Sequence, residues 1–154
     1  MSQPLGVEAS LSDSGRRLED SLTYLVRWAT RHDVQTAVMR DAQSSLPLSH
    51  VWLLVRIASC GPCHPSDLAT SFGVDNSTIT PKLQRLEVEE LVKRQPDPQD
   101  RRAALVEVTP SGLRLLRRLR RARAAILEDR LAAMAPSKRQ AIVAALSDLA
   151  AVLE

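Results

Sequence analysis

The sequence is short of several residue types, and each shortage excludes something. Among 154 residues there are two Trp, one Tyr, one Phe, two Cys and five Gly. Two cysteines supply at most one disulfide, so this is not a small disulfide-stapled scaffold. Nor does it need staples, because a chain of this length buries roughly two-thirds of its unfolded surface in an ordinary core. A single reduced, intracellular domain is expected rather than a large multidomain enzyme. Residues Met1 to Arg17 show no basic segment leading into an apolar one. No apolar run approaches the ~20 residues of a membrane span, so the expected location is the cytoplasm. Paired carboxylates, a nucleophile triad and a glycine-rich phosphate loop are all missing, so no enzymatic role, cofactor or metal is expected.

What the chain does contain is an uneven distribution of charge. The net charge is only +3. Residues 1–60 balance six basic side chains against six acidic ones, whereas residues 91–123 hold ten Lys/Arg against three Asp/Glu. A basic block inside a nearly neutral chain points to a polyanionic partner or to a solvated helix face.

Apolar periodicity predicts mostly helix. Residues 1–13 read as a polar tail; Leu18, Leu22, Leu25 and Ala29 then begin a helical period that predicts one helix of six or seven turns, ending near Ser44. Ser49 is the expected cap of an apolar helix that Gly61-Pro62 stops, and Pro65-Ser66 opens a short helix closed by Gly73. Asp75 to Thr78 offer N-caps for a helix whose Ile79, Leu83 and Leu86 share one face. Two short strands, Leu91–Arg94 and Ala103–Val108, flank a loop rich in Pro, Asp and Arg and predict a β-hairpin. Thr109-Pro110 caps a second long helix running to about Met134, with Gly112 merely tolerated near its start. Ser137 and Gln140 form the capping box expected for a last helix.

Ala69, Gly73 and Ile79 meet the demands of a helix-turn-helix: a small residue, a glycine at the turn and a branched apolar residue. The exposed side of the second helix then carries Asn76, Ser77, Thr78, Thr80, Lys82, Gln84 and Arg85, donors and acceptors suited to base edges and phosphates. Pro81 lacks an N–H one turn into this helix and is expected to distort its opening. With the acidic Asp100 among them, Arg94, Arg101 and Arg102 place basic groups around the hairpin. Its tip is narrow enough for a minor groove, and Asp100 is positioned to hold one guanidinium while the other points outward.

These residues together resemble a known family. Asp75-Asn76-Ser77-Thr78-Ile79-Thr80-Pro81-Lys82-Leu83-Gln84-Arg85-Leu86-Glu87, then Leu91-Val92-Lys93-Arg94, Asp100-Arg101-Arg102 and Val108-Thr109-Pro110-Ser111-Gly112, are similar to the MarR family of transcriptional regulators. The resemblance implies a mainly α fold with a small β-hairpin wing. This would be a winged helix-turn-helix homodimer on a pseudo-palindromic operator, most simply a repressor. In this reading 14–45 and 110–154 are dimerisation helices and 46–109 is the DNA-binding lobe. Arg102 resembles the family's minor-groove wing Arg and Asp100 its acidic partner, while Ser77, Thr78, Thr80, Pro81, Lys82 and Arg85 resemble its recognition-helix positions. Glu90 departs from the pattern, standing where the family often has Gly, and Pro81 occurs only in part of the family. The resemblance also implies an effector pocket, for which Trp28, His32, Trp52 and Arg56 would suit a small aromatic or phenolic acid.

The tetrapeptide Cys60-Gly61-Pro62-Cys63 supports a different class, a thiol-redox or metal-binding protein. Thioredoxin-type chemistry wants the first Cys at a helix N-terminus, whereas Cys60 closes an apolar helical segment. Zinc would need Cys60, Cys63, His64 and His50 together. A thiol switch on DNA affinity and two incidental thiols are the other readings. Arg114, Arg117, Arg118 and Arg121 form one stripe on the second long helix, suited either to flanking phosphates or to keeping that helix soluble.

Overall fold

The computed structural model describes residues 12–100 and 103–153, in nine elements. They are α1 (Asp13–Ala29), α2 (His32–Asp41), α3 (Leu48–Cys60), α4 (Pro65–Phe72), α5 (Asn76–Val88), β1 (Val92–Pro96), β2 (Ala104–Val108), α6 (Pro110–Leu131) and α7 (Pro136–Leu153). The chain divides into two compact units, Met1–Ala37 and Val38–Glu154, with the division inside α2.

In the first unit α1 starts at Asp13, its cap being the Ser12 side chain, which accepts from Gly15 N at 3.1 Å. The remainder of the expected tail, residues 1–11, lies outside the described residues. The single long helix expected up to Ser44 is instead two. Thr30 Oγ1 donates back to the Val26 carbonyl at 2.8 Å, and Gln35 Nε2 takes the Ala29 carbonyl that a continuing helix would have used. Loss of the Ala29 carbonyl to a side chain breaks the backbone ladder at this point. Arg31 then forks onto Asp33 in the first turn of α2, and that guanidinium holds the Asp33 carboxyl below the usual carboxylate range.

The second unit is built around α3, whose Val51, Leu53, Leu54 and Ile57 are fully buried. Helix α3 begins two residues earlier than expected: Pro47, not Ser49, occupies the cap position, and the Ser49 hydroxyl lies beside His50 Nδ1 instead. Ile79, Leu83 and Leu86 seat α5 on this core; each fully buried side chain contributes about 1.5–3 kcal/mol. The α7 capping box is not made, because Pro136 opens the helix and places Ser137 inside its first turn. Likewise α6 ends at Leu131, short of Met134.

Strands β1 and β2 pair antiparallel, Val92 with Val108 through Pro96 with Ala104. Cys63 adds a bridge, exchanging backbone bonds with Val106 at 3.1 and 2.9 Å. The hairpin is therefore tied to the segment that precedes the helix-turn-helix.

Between α5 and β1 the chain turns through Glu90, which sits in the left-handed region at φ 56°. An L side chain pays for that conformation, while glycine adopts it freely. Glu90→Gly is therefore expected to raise unfolding stability by about 1 kcal/mol in urea titrations; an unchanged or lowered midpoint would contradict this account.

Candidate nucleic-acid interface

Gly73 joins α4 to α5 in a left-handed conformation (φ 62°, ψ 35°), and the Val74 N–H returns to the Ala69 carbonyl at 3.0 Å. Ala69 and Ile79 are buried on either side of the turn, the close approach that the small and branched residues predict. Asp75 occupies the cap position of α5, with its backbone oxygen accepting from Thr78 N at 2.9 Å and no side-chain cap bond. Pro81 does not interrupt α5, which runs unbroken from Asn76 to Val88.

With Ile79, Leu83 and Leu86 turned inward, the opposite face exposes Asn76, Ser77, Thr78, Thr80, Pro81, Gln84 and Arg85. Two of these side chains already have partners. Thr80 Oγ1 donates to the Asn76 carbonyl at 2.8 Å, and Arg85 Nε donates to Glu89 at 2.9 Å. Lys82 stands apart from the others: it is half-buried and borders a surface cavity of about 220 Å3 with Ser49, Trp52, Phe72 and Val74. His50, on α3, is held below its ordinary pKa by burial and by the positive charges of Arg85 and Lys82.

The wing is braced at three points. Arg94 on β1 donates to Glu87 of α5 at 2.6 Å, locking the strand to that helix, and Lys93 pairs with Glu107 across the hairpin at 3.2 Å. Beyond β1 the carboxylate of Asp97, buried to 8% exposure, accepts from Gln99 N at 2.7 Å and lies 3.1 Å from His64 Nε2, immediately before α4. That clasp joins residues 33 positions apart, and nothing in the local sequence pattern announces it. Asp100 N–H and side chain aside, its carbonyl accepts from Ala103 N at 2.9 Å. Arg101 and Arg102 lie outside the described residues.

Comparison with known proteins agrees with this geometry. The MarR family model matches residues 46–104, which hold the helix-turn-helix and the hairpin as far as the start of β2. A helix-turn-helix-type transcriptional regulator of Mycobacterium tuberculosis is 31% identical over 142 residues, covering 92% of this chain and 96% of its own length. The chain belongs to the MarR family. The transcriptional repressor NicR of Pseudomonas putida is 32% identical over 111 residues, 70% of this chain and 68% of its own. Among solved structures, a transcriptional regulator from Thermotoga maritima superposes with a TM-score of 0.73 at 24% identity, covering 90% of this chain and 94% of that one. This MarR-family chain is a winged-helix, DNA-binding transcriptional regulator, and none of its described helices is long and apolar enough to cross a membrane.

In this MarR-family fold Cys60 is the last residue of α3 and not at a helix N-terminus. The geometry is the reverse of a thioredoxin-type site. Cys63 is buried, and burial pushes its thiol up to about 11, with the adjacent Cys60 adding to the shift. Iodoacetamide at pH 7 is therefore expected to alkylate exposed Cys60 and spare Cys63, as read by peptide mass spectrometry. Equal labelling of both would show that Cys63 is not sequestered. Among the described residues no three His, Cys, Asp or Glu side chains gather as a metal site. His50 and Cys60 lie at opposite ends of α3, roughly 15 Å apart along its axis.

The effector candidates divide between the two units. Trp28 on α1 and His32 at the start of α2 belong to the first. Trp52 and Arg56, both exposed on α3, belong to the second, where the Trp52 ring lies 5.9 Å from the Arg123 guanidinium and lines the 220 Å3 cavity. Arg56 is not among the residues lining that cavity.

Proposed function

We propose that this regulator is a repressor that acts in the cytoplasm as a homodimer on a pseudo-palindromic operator. The observation that carries DNA reading is the exposed polar face of α5, seated on the core by Ile79, Leu83 and Leu86. Helix N-termini and short polar side chains suit phosphates and major-groove base edges. Residues 46–109 serve as the DNA-binding lobe, with Arg101 and Arg102 extending the contact to the minor groove. Residues 14–45 and 110–154 supply the dimer interface.

Dimerisation is supported by apolar side chains left in the open. Tyr24 and Val26 on α1 are 71% and 61% exposed, and neither α1 nor α7 contains a buried residue. Val143, Leu146, Val152 and Leu153 on α7 are also exposed. Apolar faces of this kind mark association surfaces. A two-fold dimer would set its recognition helices ~34 Å apart, one turn of DNA.

Release is proposed through a small aromatic or phenolic acid in the cavity beside Trp52. The ring would lie against Trp52 and Phe72 and its carboxylate against Lys82, holding that cation at the cavity and unavailable to DNA. A second route is oxidation: an oxidant such as diamide would take two electrons and two protons from Cys60 and Cys63 to form a disulfide. Cys63 carries a backbone pair with β2, so strain there would reach the wing.

Fluorescence anisotropy over a salt series tests the reading, using the chain's own upstream DNA and a scrambled duplex of equal length. Preference for the native duplex with a steep salt slope is expected. No binding at low salt would refute the assignment.

A further inference from the structure

The stripe of arginines on α6 starts at the base of the hairpin and has its own concavity. Arg114, Arg117, Arg118 and Arg121, with Ser111 and Leu91, line a surface cavity of about 460 Å3. The size is that of a small-molecule site. Leu91 follows the C-terminal end of α5, and that end is roughly 18 Å along the helix from the N-terminus offered to DNA.

The chemistry of the lining is one-sided. All four guanidiniums are exposed, and among the described residues none of the four takes part in an ion pair. Their spacing of 0, 3, 4 and 7 puts like charges on adjacent turns, where they repel. Arg114 Nη2 donates to Ser111 Oγ at 2.7 Å, which uses a lone pair of that hydroxyl and leaves its proton to donate into the cavity. The Leu91 backbone oxygen is spent on Thr109 N. The cavity therefore presents planar, bidentate cationic donors and one hydroxyl donor.

We infer that this cavity binds a small metabolite bearing two or three linked phosphoryl groups. The arginines extend about 10 Å along α6, more than one phosphate occupies, and their forked donors match phosphate oxygens in pairs. Such a ligand would neutralise the stripe and give this regulator a phosphorylated signal separate from the Trp52 cavity.

Isothermal titration of the full-length protein with inorganic tripolyphosphate, in 150 mM NaCl, tests the site. One ion per protomer is expected, together with a rise in Tm that follows ligand concentration. Arg117→Gln/Arg121→Gln should weaken binding at least tenfold. Arg120→Gln/Arg130→Gln, the same charge change on the same helix outside the cavity lining, should leave it within twofold. Absence of binding by the unaltered protein, or equal weakening by both pairs, would overturn the proposal. So would loss of affinity for a duplex, with a shallower salt slope, confined to the first pair, since that would make the stripe a DNA surface. Circular dichroism of each variant checks that the helices are intact.

Discussion

Gly112→Ala is expected to lower the unfolding free energy by about 3 kcal/mol, the upper part of the range for overpacking a closed site. Gly112 sits in the first turn of α6, where its N–H donates to the Thr109 hydroxyl at 3.1 Å and the backbone passes directly against the α5–β1 turn. A methyl group there would overlap the Leu91 carbonyl oxygen and come within 2.7 Å of Val108 Cγ2. Neither neighbour can yield. The Leu91 carbonyl accepts from Thr109 N at 2.9 Å, the Thr109 hydroxyl donates to the Glu90 carbonyl at 2.6 Å, and Val108 closes the β-ladder. The same substitution at Gly15, where a Cβ would meet only Ser12 Oγ at 3.4 Å, is expected to be neutral or slightly stabilising. Urea midpoints distinguish the two sites, and matching midpoints for the two variants would refute the close-approach argument.

Arg102→Ala is expected to weaken operator binding by roughly ten- to a hundredfold, the usual effect of removing one specific groove contact. The logarithmic salt slope should become shallower by up to about one. The hairpin is registered from Val92–Val108 to Pro96–Ala104, and Asp97 N–H donates to the Ala103 carbonyl at 3.1 Å. The Asp97 side chain is itself held by Gln99 N and His64. An anchored base lowers the entropy lost when a guanidinium at the tip enters a groove. Lys93→Ala is the comparison: that ammonium is paired with Glu107 on the ladder, so its removal should change affinity little. Anisotropy on the operator duplex measures both, and undiminished binding by Arg102→Ala would mean that the wing does not read DNA.

Most of the element order is legible in the sequence, because it depends on neighbours three or four residues apart. The stripe of Ile79, Leu83 and Leu86, the turn at Gly73 and the Thr109-Pro110 start of α6 are local signals, and each appears where expected. The misreadings share one cause. A pattern that fits a helix does not reveal a side chain that takes one of its carbonyls, and Gln35 takes that of Ala29 where the first helix divides in two. Ser49 and Ser137 have the right type for caps, but Pro47 takes the cap position before α3, and Pro136 takes the first position of α7, where its fixed φ suits a helix opening.

The candidate site shows the same division. That α5 carries polar side chains over an apolar stripe follows from spacing alone, and so does a basic hairpin after it. Which of those side chains are already engaged does not follow. Arg94 braces β1 to Glu87, and Lys82 is half-buried at the edge of the cavity that Trp52 also lines.

By itself, then, the sequence determined the helical periods, the helix-turn-helix, the basic hairpin and the family, all written in residue types at short spacing. Tertiary structure alone decided that Gly112 is required by a backbone pressed against it, that Glu90 bears a left-handed turn and that Asp97 reaches His64 across the fold. Contacts between distant residues depend on the angles at which elements pack, and no short window of sequence carries those angles.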